Sequence, residues 1–272
     1  TAAEIKTSHL YGIEFDREIY ALACANMLIH KDGKTNLEQM DARTESACEW
    51  MKSKPITKVL MNPPYENKYG CMTIVENVLD NVPAHTQCAF ILPDKKLEKA
   101  SKAQIKRILK NHRLRKVIKL PEDLFFGVGI TTSIFVFEAG VGQDGKEFFA
   151  CYMESDGLAT VKNKGRHDIY GKWAAIEAHW VEVMEKQSGD NTCQWIDPTE
   201  HLSYQMPQKP FEIFEEDFRK TAIDYLMFQK GIDAKLFGEK LMTTAMYSSR
   251  VGVQNDTVTV IMQKGGDSDD ED

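Results

Sequence analysis

The sequence contains no C-x-x-C pair. Its six cysteines (Cys24, Cys48, Cys71, Cys88, Cys151 and Cys193) are scattered, and its seven histidines show no metal-ligand spacing. This excludes a zinc site of ordinary spacing and a disulfide framework, and points to a reduced, cytoplasmic protein without a metal. No apolar run approaches the roughly 20 residues of a membrane span, so no membrane partner is expected. No charged-then-apolar leader opens the sequence either. Positive charge is in deficit, with 34 Lys+Arg against 41 Asp+Glu and a formal net charge of −7. Taken as a total, that deficit argues against a nucleic-acid partner. What is present is 272 residues with 42% hydrophobic content, enough for one large domain or a domain with an appendage.

The total hides an arrangement. Five of the last six residues, Asp267, Asp269, Asp270, Glu271 and Asp272, are acidic, and a run without apolar residues is expected to form a disordered tail. Between Lys95 and Lys119 lie eleven basic residues and one acid, Glu98. Leu97, Ile105, Ile108 and Leu109 keep a helical apolar spacing through this segment, which therefore reads as a surface helix. Its outer side is either a phosphate-binding face or an ordinary solvated one.

The first half of the chain alternates strand-like and helix-like segments. Residues 10–14 read as a short strand, and Asp16 as the N-cap of a helix over about 17–30. A weaker strand is expected at 36–40 and a stronger one at 57–61. A helix follows over about 71–82, with Met72, Val75, Leu79 and Val82 on one side. Residues 87–92 read as a buried strand stopped by Pro93, and 116–120 as a strand stopped by Pro121. Strands at 133–138 and 147–153 flank Asp144-Gly145, a turn signal that predicts a hairpin. Apolar strands alternating with helices indicate a mostly parallel α/β sheet. Further on, 214–230 reads as a helix and 251–262 as a small hairpin.

The sharpest local feature is Asn62-Pro63-Pro64-Tyr65, directly after the strand at 57–61. Ligands of open α/β sheets sit beyond the carboxyl ends of the strands. Two prolines fix the backbone and remove two N–H donors, which leaves carbonyls free to accept. The Asn62 amide oxygen and the Pro63 carbonyl can hold both hydrogens of one amino group. An exocyclic amine conjugated with a ring is a poor nucleophile, and two such hydrogen bonds favour localising its lone pair. Tyr65 offers a flat face to a planar base. Read alone, the tetrapeptide is also compatible with a rigid turn. Glu14 ends the first strand, where a carboxylate accepts from ribose hydroxyls in dinucleotide-binding folds. Asp41 is a second acid after the next strand.

In their order along the chain, YGIEFDREIYALACANMLIH, LEQMDA, VLMNPPY, CAFILPDKKL, VIKLPEDLFFGVGITTSIFVFEAG and GRHDIYGKW resemble the N6-adenine DNA methyltransferases. The last two stretches narrow the resemblance to the modification subunits of Type I restriction-modification systems. It covers about residues 10–180 and continues weakly to about 230. It implies a Rossmann-like sheet dependent on S-adenosylmethionine, with a catalytic domain over 1–153, a C-terminal α+β extension over 154–265 and the acidic tail over 266–272. Glu14, with the adjoining Phe15, is implied as the ribose site of the cofactor, and Asp41 as the partner of its adenine amine. Asn62, Pro63, Pro64 and Tyr65 are implied as the catalytic loop, with Tyr65 stacked on a flipped adenine and Phe125 or Phe126 on its other face. Duplex DNA, a specificity subunit and a restriction subunit are the implied partners.

The family carries a glycine-rich loop and a first strand ahead of its acidic strand end. Only Gly12 and Gly33 occur in the first sixty residues, so the sequence is expected to represent the family's domain without that N-terminal part. Two further readings follow from the same features. One is a noncatalytic assembly module that binds a specificity subunit. The other is a protein-glutamine methyltransferase, since the same site would suit a side-chain amide.

Overall fold

The computed structural model describes residues 4–5, 8–30, 36–66, 68, 70–122, 124–125, 129–161, 164–207, 212–254 and 257–262. The chain divides into two compact units, Thr1–Met206 and Pro207–Asp272.

The first unit opens with β1 (Gly12–Glu14), α1 (Arg17–Ile29) and β2 (Leu37–Gln39). Next come α2 (Glu45–Lys52), β3 (Lys58–Met61), α3 (Cys71–Asn81) and β4 (Gln87–Pro93). Then follow α4 (Lys96–Lys99), α5 (Lys102–Asn111), β5 (Arg113–Lys119), β6 (Thr132–Glu138) and β7 (Phe148–Tyr152). A small ladder of β8 (Ala159–Val161) and β9 (Gly165–His167), then α6 (Trp173–Lys186) and β10 (Gln194–Ile196), complete it. Six strands form one sheet in the order β10-β7-β5-β6-β4-β3. β3 is parallel to β4 and β5 to β7, while β6 runs antiparallel between β4 and β5. The carboxyl ends of β3, β4, β5 and β7 therefore share one edge. β1 and β2 form a separate parallel pair, Gly12 opposite Leu37 and Glu14 opposite Gln39. The free edge of β3 has no partner strand among the described residues.

Alternation within the strands explains the layers. In β4, Cys88, Phe90 and Leu92 are fully buried on one face, while Ala89 and Ile91 are half-buried on the other. The first face joins Phe135, Phe137 and Val117 of neighbouring strands. It is covered by α3 through Met72, Val75, Val78 and Leu79, and by Ile108 of α5. Those α3 positions fall three and four apart, the spacing of one helical face. The second face, with Ile118, Phe149 and Cys151, packs against Val183, Trp180 and Met184 of α6. The β1–β2 pair is tied to this body by Ile13 and Ala42, which pack on the first core. The Asn77 amide of α3 also donates to the Ala42 carbonyl at 3.2 Å.

Helix starts follow the expected chemistry. Asp16 accepts from the Glu18 and Ile19 N–H groups, and Thr44 caps α2 through the Ala47 N–H. In the second unit, α7 (Glu215–Gln229) opens with Asp217 reaching back to the Phe214 N–H. Then come α8 (Ala234–Ser248), β11 (Ser249–Gln254) and β12 (Thr257–Met262). β11 and β12 pair antiparallel with Val251 opposite Val260, which is the expected small hairpin. Residues 266–272 lie outside the described residues.

Three expectations need correction. β6 and β7 do not form a hairpin, because β5 lies between them. The turn at Asp144-Gly145 does exist, with the Lys146 N–H on the Gln143 carbonyl. It sits inside a crossover rather than between paired strands. The Gln143 side chain there accepts from the Leu114 N–H at 2.7 Å and donates to its carbonyl, tying the turn to the start of β5. The helical part of the basic segment is not continuous either. It breaks at Ala100-Ser101 between α4 and α5, and the strand expected at 116–120 starts earlier, at Arg113, with its last residue, Lys119, buried. Finally, residues 154–206 stay with the first unit, since β10 joins the main sheet against β7; the division falls after Met206.

Phe90 is fully buried with its ring edge-on to Phe137 at 6.2 Å. Phe90→Ala should therefore destabilise the chain by about 3–5 kcal/mol. Leu60→Ala, at 87% exposure on β3, should change stability by less than about 0.5 kcal/mol. Urea unfolding of the two variants checks both values.

Candidate active site

The carboxyl edge of the main sheet gathers most of the residues singled out above. β3 ends at Met61, and Asn62-Pro63-Pro64-Tyr65 follows without a turn of helix. Asn62 and Pro64 are exposed, Pro63 is buried and Tyr65 is half-buried. Pro63 thus anchors the loop while the amide beside it stays open to solvent. The Tyr65 hydroxyl has no hydrogen-bond partner among the described residues, and burial pushes its phenol above the usual tyrosine range.

Parallel pairing of β3 with β4 brings the next loop alongside. Pro93 ends β4, and Lys96, in the first position of α4, donates from Nζ to the Tyr65 carbonyl at 2.6 Å. The ammonium thereby holds the far end of the tetrapeptide. Asp94, two residues earlier, is fixed in turn. Its carboxylate accepts from Ser133 Oγ at 2.7 Å and lies 3.5 Å from Lys119 Nζ. The Asp94 N–H donates to the Thr131 carbonyl at 3.0 Å. Lys119 is only 5% exposed, and its ammonium sits 5.5 Å from the centroid of the Tyr152 ring. A buried cation is tolerated only when paired and solvated by dipoles or rings, and this one has both. Lys119 thereby ties the loops after β4 and β5 together. Phe125 lies beyond the end of β5 at the same edge and is half-buried; Phe126 lies outside the described residues.

The two acids lie on the smaller sheet, at the carboxyl ends of their parallel strands. Glu14 is half-buried; its Oε1 accepts from the Asp16 N–H at 2.8 Å, while Oε2 has no partner among the described residues. The adjoining Phe15 is 65% exposed. The Met40 N–H donates to the Glu14 carbonyl, so the loop carrying Asp41 starts beside Glu14. Asp41 is not free. Arg43 reaches back with Nε at 2.8 Å from Oδ1 and Nη2 at 2.6 Å from Oδ2. The Arg43 guanidinium holds the Asp41 carboxyl below the usual range, by its side-chain hydrogen bonds first of all. The Arg43 N–H also donates to Oδ1 at 2.9 Å, so both carboxylate oxygens are engaged by Arg43.

Lys96, Asp94 and Lys119 were missed as site residues in the sequence, where they look like members of a charged stretch. The available signal was position: each directly follows or ends an apolar strand at the edge where Asn62 also sits. Among the described residues no group of His, Cys, Asp and Glu side chains could hold a metal ion. No helix among them is long and apolar enough to cross a membrane.

The sequence model of the N-6 DNA methylase family matches residues 1–86 and 73–169. The chain belongs to the N-6 DNA methylase family. Among curated proteins, the Type II restriction enzyme and methyltransferase RM.BcgI of Heyndrickxia coagulans is 29% identical over 252 residues, covering 85% of this chain and 38% of that protein. Among solved structures, a modification subunit of a putative type I restriction enzyme from Vibrio vulnificus shares the fold with a TM-score of 0.53 at 14% identity. It covers 74% of this chain and 46% of that one. The type I restriction-modification methyltransferase subunit of Streptococcus thermophilus gives 0.53 at 19% identity, over 70% and 45% of the two chains. The N-6 DNA methylase domain thus has the α/β fold of those methyltransferases, and the chain spans less than half the length of these relatives.

The Asp41–Arg43 pair yields a titration test. A depressed carboxyl pKa contributes stability above the ordinary carboxylate range, and that contribution is lost as pH falls through the folded value. Arg43→Gln should raise the Asp41 midpoint toward the usual aspartate value, read by carbon NMR of the side-chain carboxyl. An unmoved midpoint would contradict the assigned cause.

Proposed function

We propose that the chain is the adenine-methylating part of a restriction-modification assembly of Type I kind, transferring a methyl group to the N6 amine of a flipped adenine in duplex DNA. The observation that carries this reading is the loop Asn62–Tyr65: its amide is exposed, its Pro63 buried, and its last carbonyl held by Lys96 at the carboxyl end of the parallel pair β3–β4 in a mixed sheet. When bound, S-adenosylmethionine supplies an electrophilic methyl group on a sulfonium.

Everything else falls to the chain. The Asn62 Oδ1 and the Pro63 carbonyl accept the two amine hydrogens of the target base. Both acceptors strengthen as the nitrogen moves from planar toward tetrahedral, so they favour the transition state over the ground state. Tyr65 stacks on the extruded base, with Phe125 or Phe126 on its other face, which repays part of the cost of unstacking it. Lys96 fixes the loop against the β4 side, so the acceptors need little reorganisation. Glu14, whose Oε2 has no partner among the described residues, and Asp41, beside Arg43, suit the ribose hydroxyls and the adenine amine of the cofactor, with Phe15 flanking. These residues account for the nucleoside half of that cofactor. A specificity subunit would read the bases and a restriction subunit would complete the assembly.

The test is methyl transfer from labelled S-adenosylmethionine to duplex DNA by the complete assembly. Asn62→Ala should lower kcat by about 100-fold or more, the usual scale for one preorganised hydrogen-bonding group. Tyr65→Phe should retain transfer, since only a hydroxyl without a partner among the described residues is removed. Tyr65→Ala should weaken target-base engagement by roughly 5- to 150-fold, the range of one stacked base. Undiminished transfer by Asn62→Ala, or label recovered on protein glutamine instead of adenine, overturns the reading.

A further inference from the structure

The basic stretch has an internal order that only the structure shows. Its single acid, Glu98, is turned away from its neighbours. The Glu98 carboxylate accepts from the Leu202 N–H at 3.1 Å and Ser203 Oγ at 2.8 Å, with His201 Nδ1 at 3.9 Å. Gln104 and Arg107 commit to Glu76 of α3, at 2.8 and 2.9 Å. Leu97 and Ile108 face the core, with Ile105 and Leu109 packed against it. That leaves Lys95, Lys99, Lys102, Lys106 and Lys110 exposed, with no ion pair among the described residues, the first four nearest the site end of the segment. Lys102 and Lys106 are four apart on α5, on one face and about 6 Å from each other. Like charges so placed repel, and an anion laid across them relieves the repulsion. The row begins beside Lys96, whose own ammonium points inward to the Tyr65 carbonyl.

We propose that Lys95, Lys99, Lys102 and Lys106 are the surface on which the phosphate backbone of duplex DNA lies as it enters the Asn62–Tyr65 site. The inference rests on the methyltransferase reading for its choice of anion. Compact ammonium groups on flexible stems contact phosphates as point charges and carry no base information, which suits a chain whose sequence reading is delegated. Proximity to the site favours DNA over an acidic protein segment as the occupant.

The experiment measures duplex DNA binding by the complete assembly across a salt series. The triple variant Lys99→Gln, Lys102→Gln, Lys106→Gln should flatten the slope of log K against log salt by about 0.9 for each phosphate that is no longer neutralised, roughly 3 in all. The corresponding triple arginine variant should keep the slope. Lys146→Gln, before β7 and away from β3 in the sheet, should also keep it. An unchanged slope in the glutamine triple overturns the proposal. So does an equal change in Lys146→Gln, or failure of subunit assembly with DNA binding intact, which would assign the row to an acidic protein partner. Because the slope is read from binding alone, methyl transfer is scored separately. Wild type that binds DNA with the expected slope change on mutation but transfers no methyl group to adenine would defeat the methyltransferase reading and leave the phosphate surface standing.

Discussion

Parallel pairing of β3 with β4, Met61 opposite Phe90, is the constraint on which the site depends. It places two strand ends on the same edge, so that Asn62 leaves one and Asp94 to Lys96 leave the other. Only then can Lys96 reach the Tyr65 carbonyl. The prolines of the tetrapeptide limit its backbone freedom, and the ammonium removes what remains at its far end. β6, antiparallel between β4 and β5, contributes Ser133, and Thr131 just ahead of it, to hold Asp94. The loops after β4 and β5 are thereby fixed by mostly buried strands around an aromatic core, and β3 is held to them by its pairing with β4.

Charge is handled differently on the two sides of this edge. Inward, each ion has a named partner: Lys119 the Asp94 carboxylate and the Tyr152 ring, Lys96 a carbonyl, Asp41 the Arg43 guanidinium. Outward, from Lys95 along α4 and α5, five lysines have no ion pair among the described residues, while the one nearby acid is satisfied by backbone and hydroxyl donors of 202–203. A net charge of −7 therefore coexists with a cationic strip beside the site. For the proposed binding of a polyanion, the distribution matters more than the sum.

Much of this was legible beforehand wherever local chemistry decides. Asp16 caps a helix because its carboxylate meets two orphan N–H groups, and Asn62-Pro63-Pro64 ends a strand because proline cannot continue the ladder. β1, β3, α1, α3 and α7 follow from such signals. The pairing of strands was not legible in the same way. Asp144-Gly145 signals a turn correctly, yet nothing local says that β5 will sit between β6 and β7. Burial of charge was also hidden: Lys119 and Lys102 are the same residue type in one basic run, and only the sheet decides that one is enclosed and the other solvated. The short α2 has too brief an apolar pattern to stand out, and its stability comes from packing Ala47 and Met51 against the core.

The central claim is that the loop after β3 receives a base extruded from the duplex. The most direct measurement is photocrosslinking of the complete assembly to duplex DNA in which 5-iodouracil replaces the target adenine, with the crosslinked peptide identified by mass spectrometry. The account predicts attachment at Tyr65, the ring against which the flipped base lies. Attachment confined to residues remote from Asn62–Tyr65 would contradict it.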